Sequence, residues 1–185
     1  RESPAIWCPE CQTAIAQAEL ADLDRETKFL FLKFSLLDGT SLPIATTRPE
    51  LLPACVAIFV HPEDERYKIL VGRSAIVPLF NQEVPILMDA LADPDKGTGA
   101  VMCCTFGDTT DITWWYRHNL PFIKAIDHNG KLTEVAHAYN GLSITEARQR
   151  VEEDLTCEGL VLQIQSIPQS IRVHERCDTP VEYLP

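Results

Sequence analysis

Thr27-Lys28-Phe29-Leu30-Phe31-Leu32-Lys33-Phe34-Ser35-Leu36, the turn pair Asp38-Gly39, and Leu42 to Thr47 read together as a β-hairpin. Asp-Gly between two apolar runs is a strong hairpin signal, because its turn needs residues that tolerate positive φ. The returning strand ends in hydroxyls and a guanidinium, Ala45-Thr46-Thr47-Arg48-Pro49-Glu50. Further on, Cys55 to Val60 reads as a buried strand, and His61-Pro62-Glu63-Asp64 as the opening of a short helix through Leu70 that Gly72 stops. Ser74 to Leu79 and Val84 to Met88 are expected as strands around Asn81-Gln82-Glu83. Gly97-Thr98-Gly99 leads into a strand through Thr105, and Thr109 to His118 is predicted helical, with Asp108 and Asp111 at its start. Phe122 to Ile126 is expected as a strand, with a turn at His128-Asn129-Gly130. Ser143-Ile144-Thr145-Glu146 is a capping box for a helix to about Cys157, with Gly159 as its stop. Val161 to Gln165 and Ile171 to His174 return as strands. Many short strands with three helices between them predict an α+β domain on a partly closed, mixed β-barrel with peripheral helices.

Bulk properties agree with one domain. The chain has 185 residues, 45% hydrophobic and 23% charged, enough for one well-packed core and short for two. Its formal net charge is −11, which argues against a free-standing nucleic-acid binder, since phosphate affinity comes mainly from Lys and Arg. One nucleotide entering a pocket is still compatible with that balance. No apolar run approaches the ~20 residues of a membrane helix, and no secretory leader is visible, so a cytoplasmic location is expected. The abrupt ends, Arg1-Glu2-Ser3-Pro4 and Leu184-Pro185, read as those of an excised piece.

Seven cysteines, an odd number without secretory signs, argue against a disulfide framework. Cys55, Cys103, Cys104 and Cys157 are expected as buried small hydrophobes. Cys8-Pro9-Glu10-Cys11 and His174-Glu175-Arg176-Cys177 are two knuckles of the same spacing at opposite ends, and together they would complete a tetrahedral, structural zinc site. A lone CxxC could equally be a redox pair or chance, and His174 could be an ordinary strand residue with Cys177 a buried thiol. If the site is real, it ties the two termini together. Residues 1–20 and 168–185 are accordingly expected to form a base joining a host, and residues 21–167 the barrel body.

Asp108 and Asp111 suit a helix N-cap and a capping-box acid on spacing alone. Carboxylates fixed in that way are also rigidly placed for a ligand. Gly97-Thr98-Gly99 lacks the Lys and helix of a phosphate loop.

The Thr46-Thr47-Arg48-Pro49-Glu50 segment resembles the threonine-rich segment of the editing insertion of class I aminoacyl-tRNA synthetases, and the valyl branch most closely. The likeness continues through Leu51 to Tyr67, Gly97 to Val101, Arg117-His118-Asn119-Leu120-Pro121, Thr13 to Leu20 and Thr179-Pro180-Val181-Glu182-Tyr183, nearly the whole chain. Isoleucyl relatives usually carry Pro-Trp, where here Arg48 precedes Pro49; leucyl relatives usually have Asp-Thr after the Pro, where Glu50-Leu51 stands. The resemblance implies hydrolysis of threonyl-tRNA specific for valine, with tRNA and the remainder of a synthetase as partners and no catalytic metal. An isoleucyl- or leucyl-type editing domain, or a non-catalytic zinc-tied module that positions tRNA, are the alternatives. It implies that Asp111 holds the α-ammonium of the misattached amino acid, that Thr46, Thr47 and Arg48 line the pocket for the terminal adenosine and ester, and that Asp108 reads the threonine hydroxyl. The strand carrying Cys104 departs from the family: Met102 stands where Lys is common, Cys104 where Thr is, and Thr105-Phe106-Gly107 where Pro-Ala-His is.

Overall fold

The computed structural model describes residues 3–185; Arg1 and Glu2, at the start of the expected base, lie outside the described residues. The hairpin forms as the pattern predicts, but its first strand is longer. β3 (Leu20–Leu36) pairs antiparallel with β4 (Ser41–Thr46), Leu30 opposite Thr46 and Ser35 opposite Ser41. Leu30, Leu32, Phe34 and Leu36 alternate into the core and meet Leu42 and Ile44 from β4, the period-two pattern of a half-buried sheet. Before β3, β1 (Ala5–Cys8) and β2 (Thr13–Ala14) form a small sheet with β11 (Glu182–Leu184), in which Ala5 lies opposite Leu184.

The large sheet runs β10-β9-β3-β6-β7-β5-β8, with β4 attached to β3. Its other members are β5 (Cys55–Val60), β6 (Ser74–Ile76), β7 (Glu83–Met88), β8 (Ala100–Cys104), β9 (Val161–His174) and β10 (Thr179–Pro180). β5 and β7 are parallel while the other pairings are antiparallel, so the sheet is mixed. Every residue of β5 is buried, as its unbroken apolar run requires for a strand covered on both faces. β4 lies against β8 without a ladder between them, so the barrel does not close. A cleft opens along this gap.

Among the described residues two α-helices are present, not three. α1 (Thr109–Arg117) and α2 (Ile144–Cys157) match the capping signals, and Ser143 and Glu146 form the reciprocal box. Ala147, Val151 and Leu155 are the buried stripe of α2, which leaves Cys157 exposed rather than buried as expected. The helix expected over 61–70 is a series of turns ending in a 3-10 turn at Lys68–Leu70. Glu63, Asp64, Glu65 and Arg66 supply no apolar stripe to bury, and Asp64 instead caps the amide of Arg66 and pairs with its guanidinium. The strand expected over 122–126 is an irregular segment with one bridge, Ile126 to Leu132. Thr105 takes over part of its backbone bonding, accepting from the amide of Ile123 at 3.0 Å and donating to that residue's carbonyl at 2.8 Å.

β9 is one continuous strand where two were expected. It pairs with β3 from Leu20–His174 to Leu32–Val161. Pro168 stands opposite Glu26 within this ribbon, and β10 pairs only with residues 173 and 174 on the other side. A proline is tolerated there because its missing N–H falls on an edge.

Candidate functional site: an acid-floored cleft and a four-ligand cluster

Two segments build the cleft. β4 ends at Thr46, whose Oγ1 accepts the amide of Arg48 at 3.0 Å and turns the chain out of the sheet. Pro49–Ala54 then form a 3-10 turn in which every residue is buried. Opposite, β8 delivers Cys104 alongside Cys55 of β5 and runs through Gly107 into α1. Asp108 is the helix N-cap, its Oδ1 accepting from Thr110 and Asp111 at 2.7 and 3.0 Å. Asp111 follows in the first turn and is 7% exposed. Its Oδ2 accepts the amide of Gly107 at 2.8 Å. A Cβ on Gly107 would stand 2.8 Å from that oxygen and 3.3 Å from Leu51 Cδ1, so the close approach requires glycine.

The far end of α1 is also pinned. Arg117 Nη1 lies 2.8 Å from both oxygens of Asp89, and His118 Nε2 lies 2.8 Å from one of them. Burial works against the Asp89 charge, but His118, the Leu91 amide and Arg117 hold its carboxyl well below the usual range. Trp114 stacks on Phe59 at 4.3 Å between centroids. The variant loop before the helix is anchored as well, since Phe106 packs against Trp115 and Phe122.

The resulting cleft has a volume of about 650 Å³, and Thr46, Thr47, Arg48, Cys104, Asp108 and Asp111 all line it. Phe29, Leu91, Asp93, Lys96, Trp114 and Ile167 to Ser170 of β9 are among the other wall residues; nothing in local spacing signalled these. Burial, then the neighbouring Asp108 charge, pushes the Asp111 carboxyl up to about 8, against the opposing Gly107 amide. Asp111 is therefore a carboxyl whose charge the surrounding protein leaves uncompensated, and a cation in the cleft would supply the missing partner. The Cys104 thiol is raised well above its ordinary value by its hydrogen bond with Cys55 and by burial, so it is a wall group and not a thiolate nucleophile. Among the described residues no histidine lines the cleft.

Arg48 lines the cleft, but its guanidinium is bound on the protein side. Nε donates to Glu50 at 2.9 Å, and Nη2 donates to both oxygens of Glu182 at 2.9 Å. Arg148 of α2 grips Glu50 from the other side at 3.0 and 2.7 Å. Glu50 is fully buried, and burial alone would raise its pKa; Arg48 and Arg148 overrule it and hold Glu50 below the usual range. Glu182 has one guanidinium, and burial prevails to leave it above its ordinary value. Sequence reading missed Glu50, Arg148 and Glu182 as a unit, because no periodicity links positions so far apart.

At and just beyond the ends of β1 and β9, Cys8, Cys11, His174 and Cys177 offer ligand atoms that all lie within 4.8 Å of one another. Sγ of Cys177 is 3.6 Å from that of Cys8, 3.7 Å from that of Cys11, and 3.4 Å from His174 Nδ1. Metal–sulfur bonds of about 2.3 Å give tetrahedron edges of about 3.8 Å, so the spacing fits one tetrahedral ion. The Cys11 amide also points at Cys8 Sγ at 3.4 Å, as an outer-sphere donor to a bound thiolate does. The two knuckles could hold a metal ion, and they meet as their spacing predicts.

The leucyl-tRNA synthetase editing-domain family matches residues 56–156, a span containing all of β5 but its first residue, β8 and the acid-bearing helix. The chain belongs to the aminoacyl-tRNA synthetase editing domains. Full-length relatives fall on the valyl side, as the Thr-Thr-Arg-Pro-Glu segment indicated. A valine–tRNA ligase of Methanocaldococcus jannaschii is 53% identical over 98% of this editing domain, and one of Haloarcula marismortui is 50% identical over all of it. One from Pyrococcus horikoshii is likewise 50% identical over the whole domain. In each comparison the chain spans 21% of the relative's length. Among solved structures, a leucyl-tRNA synthetase of Agrobacterium radiobacter K84, in a ternary complex with tRNA and LeuAMS, shares the fold at TM-score 0.56 and 21% identity, over 80% of this chain and 20% of that one.

Proposed function

We propose that this domain hydrolyses the ester of threonyl-tRNA specific for valine, as the editing part of a valine–tRNA ligase. The observation that carries the reading is the convergence, in one cleft, of two hydroxyls and an uncompensated buried carboxyl. Asp111 receives the α-ammonium; Thr46, Thr47 and the Arg48 segment form the wall against the terminal adenosine and ester; Asp108 reads the side-chain hydroxyl. Arg48 acts by holding that wall to Glu50 and Glu182. A hydrophobic synthetic pocket rejects threonine in favour of valine only about a hundredfold, an established figure for this enzyme class. A second pocket with polar groups can make the distinction, because valine would leave them unpaired. With the wall thiol un-ionised and no histidine in the cleft among the described residues, a positioned water attacks the ester carbonyl, the bond to the ribose oxygen breaks, and the water's proton passes to that leaving oxygen. The free ribose hydroxyl and backbone amides orient it and bear the developing oxyanion. Incubating the chain with threonyl- and valyl-tRNA and measuring release of each amino acid tests the reading; equal stability of both esters would leave only a tRNA-positioning module.

Asp108 does two jobs that substitutions can separate. Asparagine caps helices as well as aspartate, so Asp108→Asn should keep the melting temperature while reducing the threonine-over-valine preference by about tenfold, the size of one lost hydrogen bond. Equal losses on the two esters would make Asp108 a cap alone.

The knuckles would hold zinc, bound by three thiolates and one imidazole with no position left open, which makes it structural. Chelation should loosen β1, β2 and β11 and lower thermal stability, yet leave ligand binding in the cleft intact. Affinity should fall as pH drops and thiols protonate. Elemental analysis of fresh protein showing no metal would refute this assignment.

A further inference from the structure

A second cavity of about 580 Å³ opens from the cleft, sharing Thr47, Arg48, Gly107, Asp108, Gln169 and Ser170 with it as a common rib. Four arginines line it: Arg25 of β3, Arg48, Arg148 of α2 and Arg172 of β9. Arg48 and Arg148 are balanced by Glu182 and Glu50. Arg25 and Arg172 are not. Among the described residues neither guanidinium has an ion-pair or hydrogen-bond partner, although the chain as a whole carries a net charge of −11. Arg148 spends Nε and Nη2 on Glu50 and keeps Nη1 free, on a side chain already fixed. Thr27 also lines the cavity, and its Oγ1 is buried without a partner. The first turn of α2, Ile144 and Thr145, opens into the same space. Burial, then the neighbouring Arg148 and Arg48, lower the Arg25 pKa against an opposing attraction to Glu50; Glu10, Asp108 and Glu182 also line the cavity, and Glu182 is already engaged by Arg48.

We propose that this cavity is a phosphodiester subsite, in which Arg25, Arg148 and Arg172 hold the tRNA strand just upstream of the end that enters the cleft. The proposal rests on the hydrolase reading, because that reading puts the reacting end of a nucleic-acid strand at Asp111. Continuing from there past Thr47 and Arg48, the strand presents a phosphate. A guanidinium fork is the side chain that matches phosphate oxygens in pairs, and a helix start adds amide dipoles of the same sense. The two unpaired arginines mark the path of the strand.

Binding of a deacylated acceptor-stem duplex with a single-stranded 3′ end tests this, measured by fluorescence anisotropy in the Asp111→Ala background across a salt series. Arg25→Ala and Arg172→Ala should each weaken binding about tenfold and reduce the slope of log affinity against log salt by about 0.7, the value for one phosphate on a single strand. Arg25→Lys should keep the slope. Arg150→Ala, on the same helix as Arg148 but outside the cavity, should bind as the parent does. A duplex lacking the single-stranded end should bind without dependence on Arg25. Parent-like binding by both alanine variants, or no binding by the parent at low salt, overturns the subsite. Hydrolysis is scored separately: failure of the wild-type chain to release threonine sinks the hydrolase reading whatever the binding data say.

Discussion

Asp111→Ala is expected to reduce release of threonine from its tRNA ester by at least about a hundredfold, with the fold intact. A charge-assisted bond to an ammonium is worth roughly 3 kcal/mol, and each 1.36 kcal/mol is a factor of about ten. The isosteric Asp111→Asn separates function from stability. It keeps an oxygen for the Gly107 amide, which Asp111 accepts at 2.8 Å. The wild-type carboxyl titrates near 8 in the fold, raised by burial and then by Asp108, against about 3.8 unfolded. Between those values the folded protein holds a proton that the unfolded chain has released, so this group's contribution to stability falls as pH rises from about 4 to 8 and is constant beyond. Asp111→Asn should therefore match wild type near pH 4 and exceed it by about 2 kcal/mol at pH 8.5. That is less than the full conversion of the shift, because the cleft admits water. Thermal melts at the two pH values check this, and a variant both active and no more stable at pH 8.5 would remove Asp111 from the site.

Glu50→Ala is expected to cost about 3–5 kcal/mol, the range for breaking a buried ion pair from one side. It strands the Arg148 guanidinium and takes from Arg48 one of its two carboxylates, Glu182 remaining. At about 2–4 °C per kcal/mol for a chain of this size, the melting temperature should fall by about 10 °C. Activity should fall with it, since the Arg48 backbone carries Thr46 and the cleft wall. Glu50→Gln keeps one acceptor and should lose less. A loss under about 1 kcal/mol for Glu50→Ala would mean the guanidiniums find water instead.

Much of the fold was legible because its determinants are local. The Asp38-Gly39 turn, the alternation through Leu36, and the caps at Asp108 and Ser143 each act within a few residues, and each appears where the sequence puts it. The errors share a cause. Residues 61–70 have a helix opening without an apolar face, and residues 122–126 have strand-like composition but bond to Thr105 instead of a neighbouring strand. The segment between the two strands expected at 161–165 and 171–174 continues the pairing with β3, Pro168 included, which local composition does not reveal. The site was legible through its residue types, and the cleft does gather Thr46, Thr47, Arg48, Cys104, Asp108 and Asp111. The direction of the Arg48 guanidinium was not legible, because Glu182 reaches it from the other end of the chain.

The β3–β9 ribbon has a bearing on how the chain folds. Leu20 meets His174 and Leu30 meets Ile164, so this pairing, the most extensive in the fold, joins parts of the chain that lie far apart in sequence. Such contacts form slowly, because a long loop must close before any of them is gained. β4, β6, β5, β7 and β8 can assemble on the second half of β3 while its first half still waits for β9. Until then residues 20–29 present an open strand edge. Asp22, Asp24, Glu26 and Lys28 alternate along it, and charges spaced in this way discourage a foreign strand from adding there. The acidity that argued against a free-standing nucleic-acid binder thus also disfavours the addition of a foreign strand to the partly folded chain.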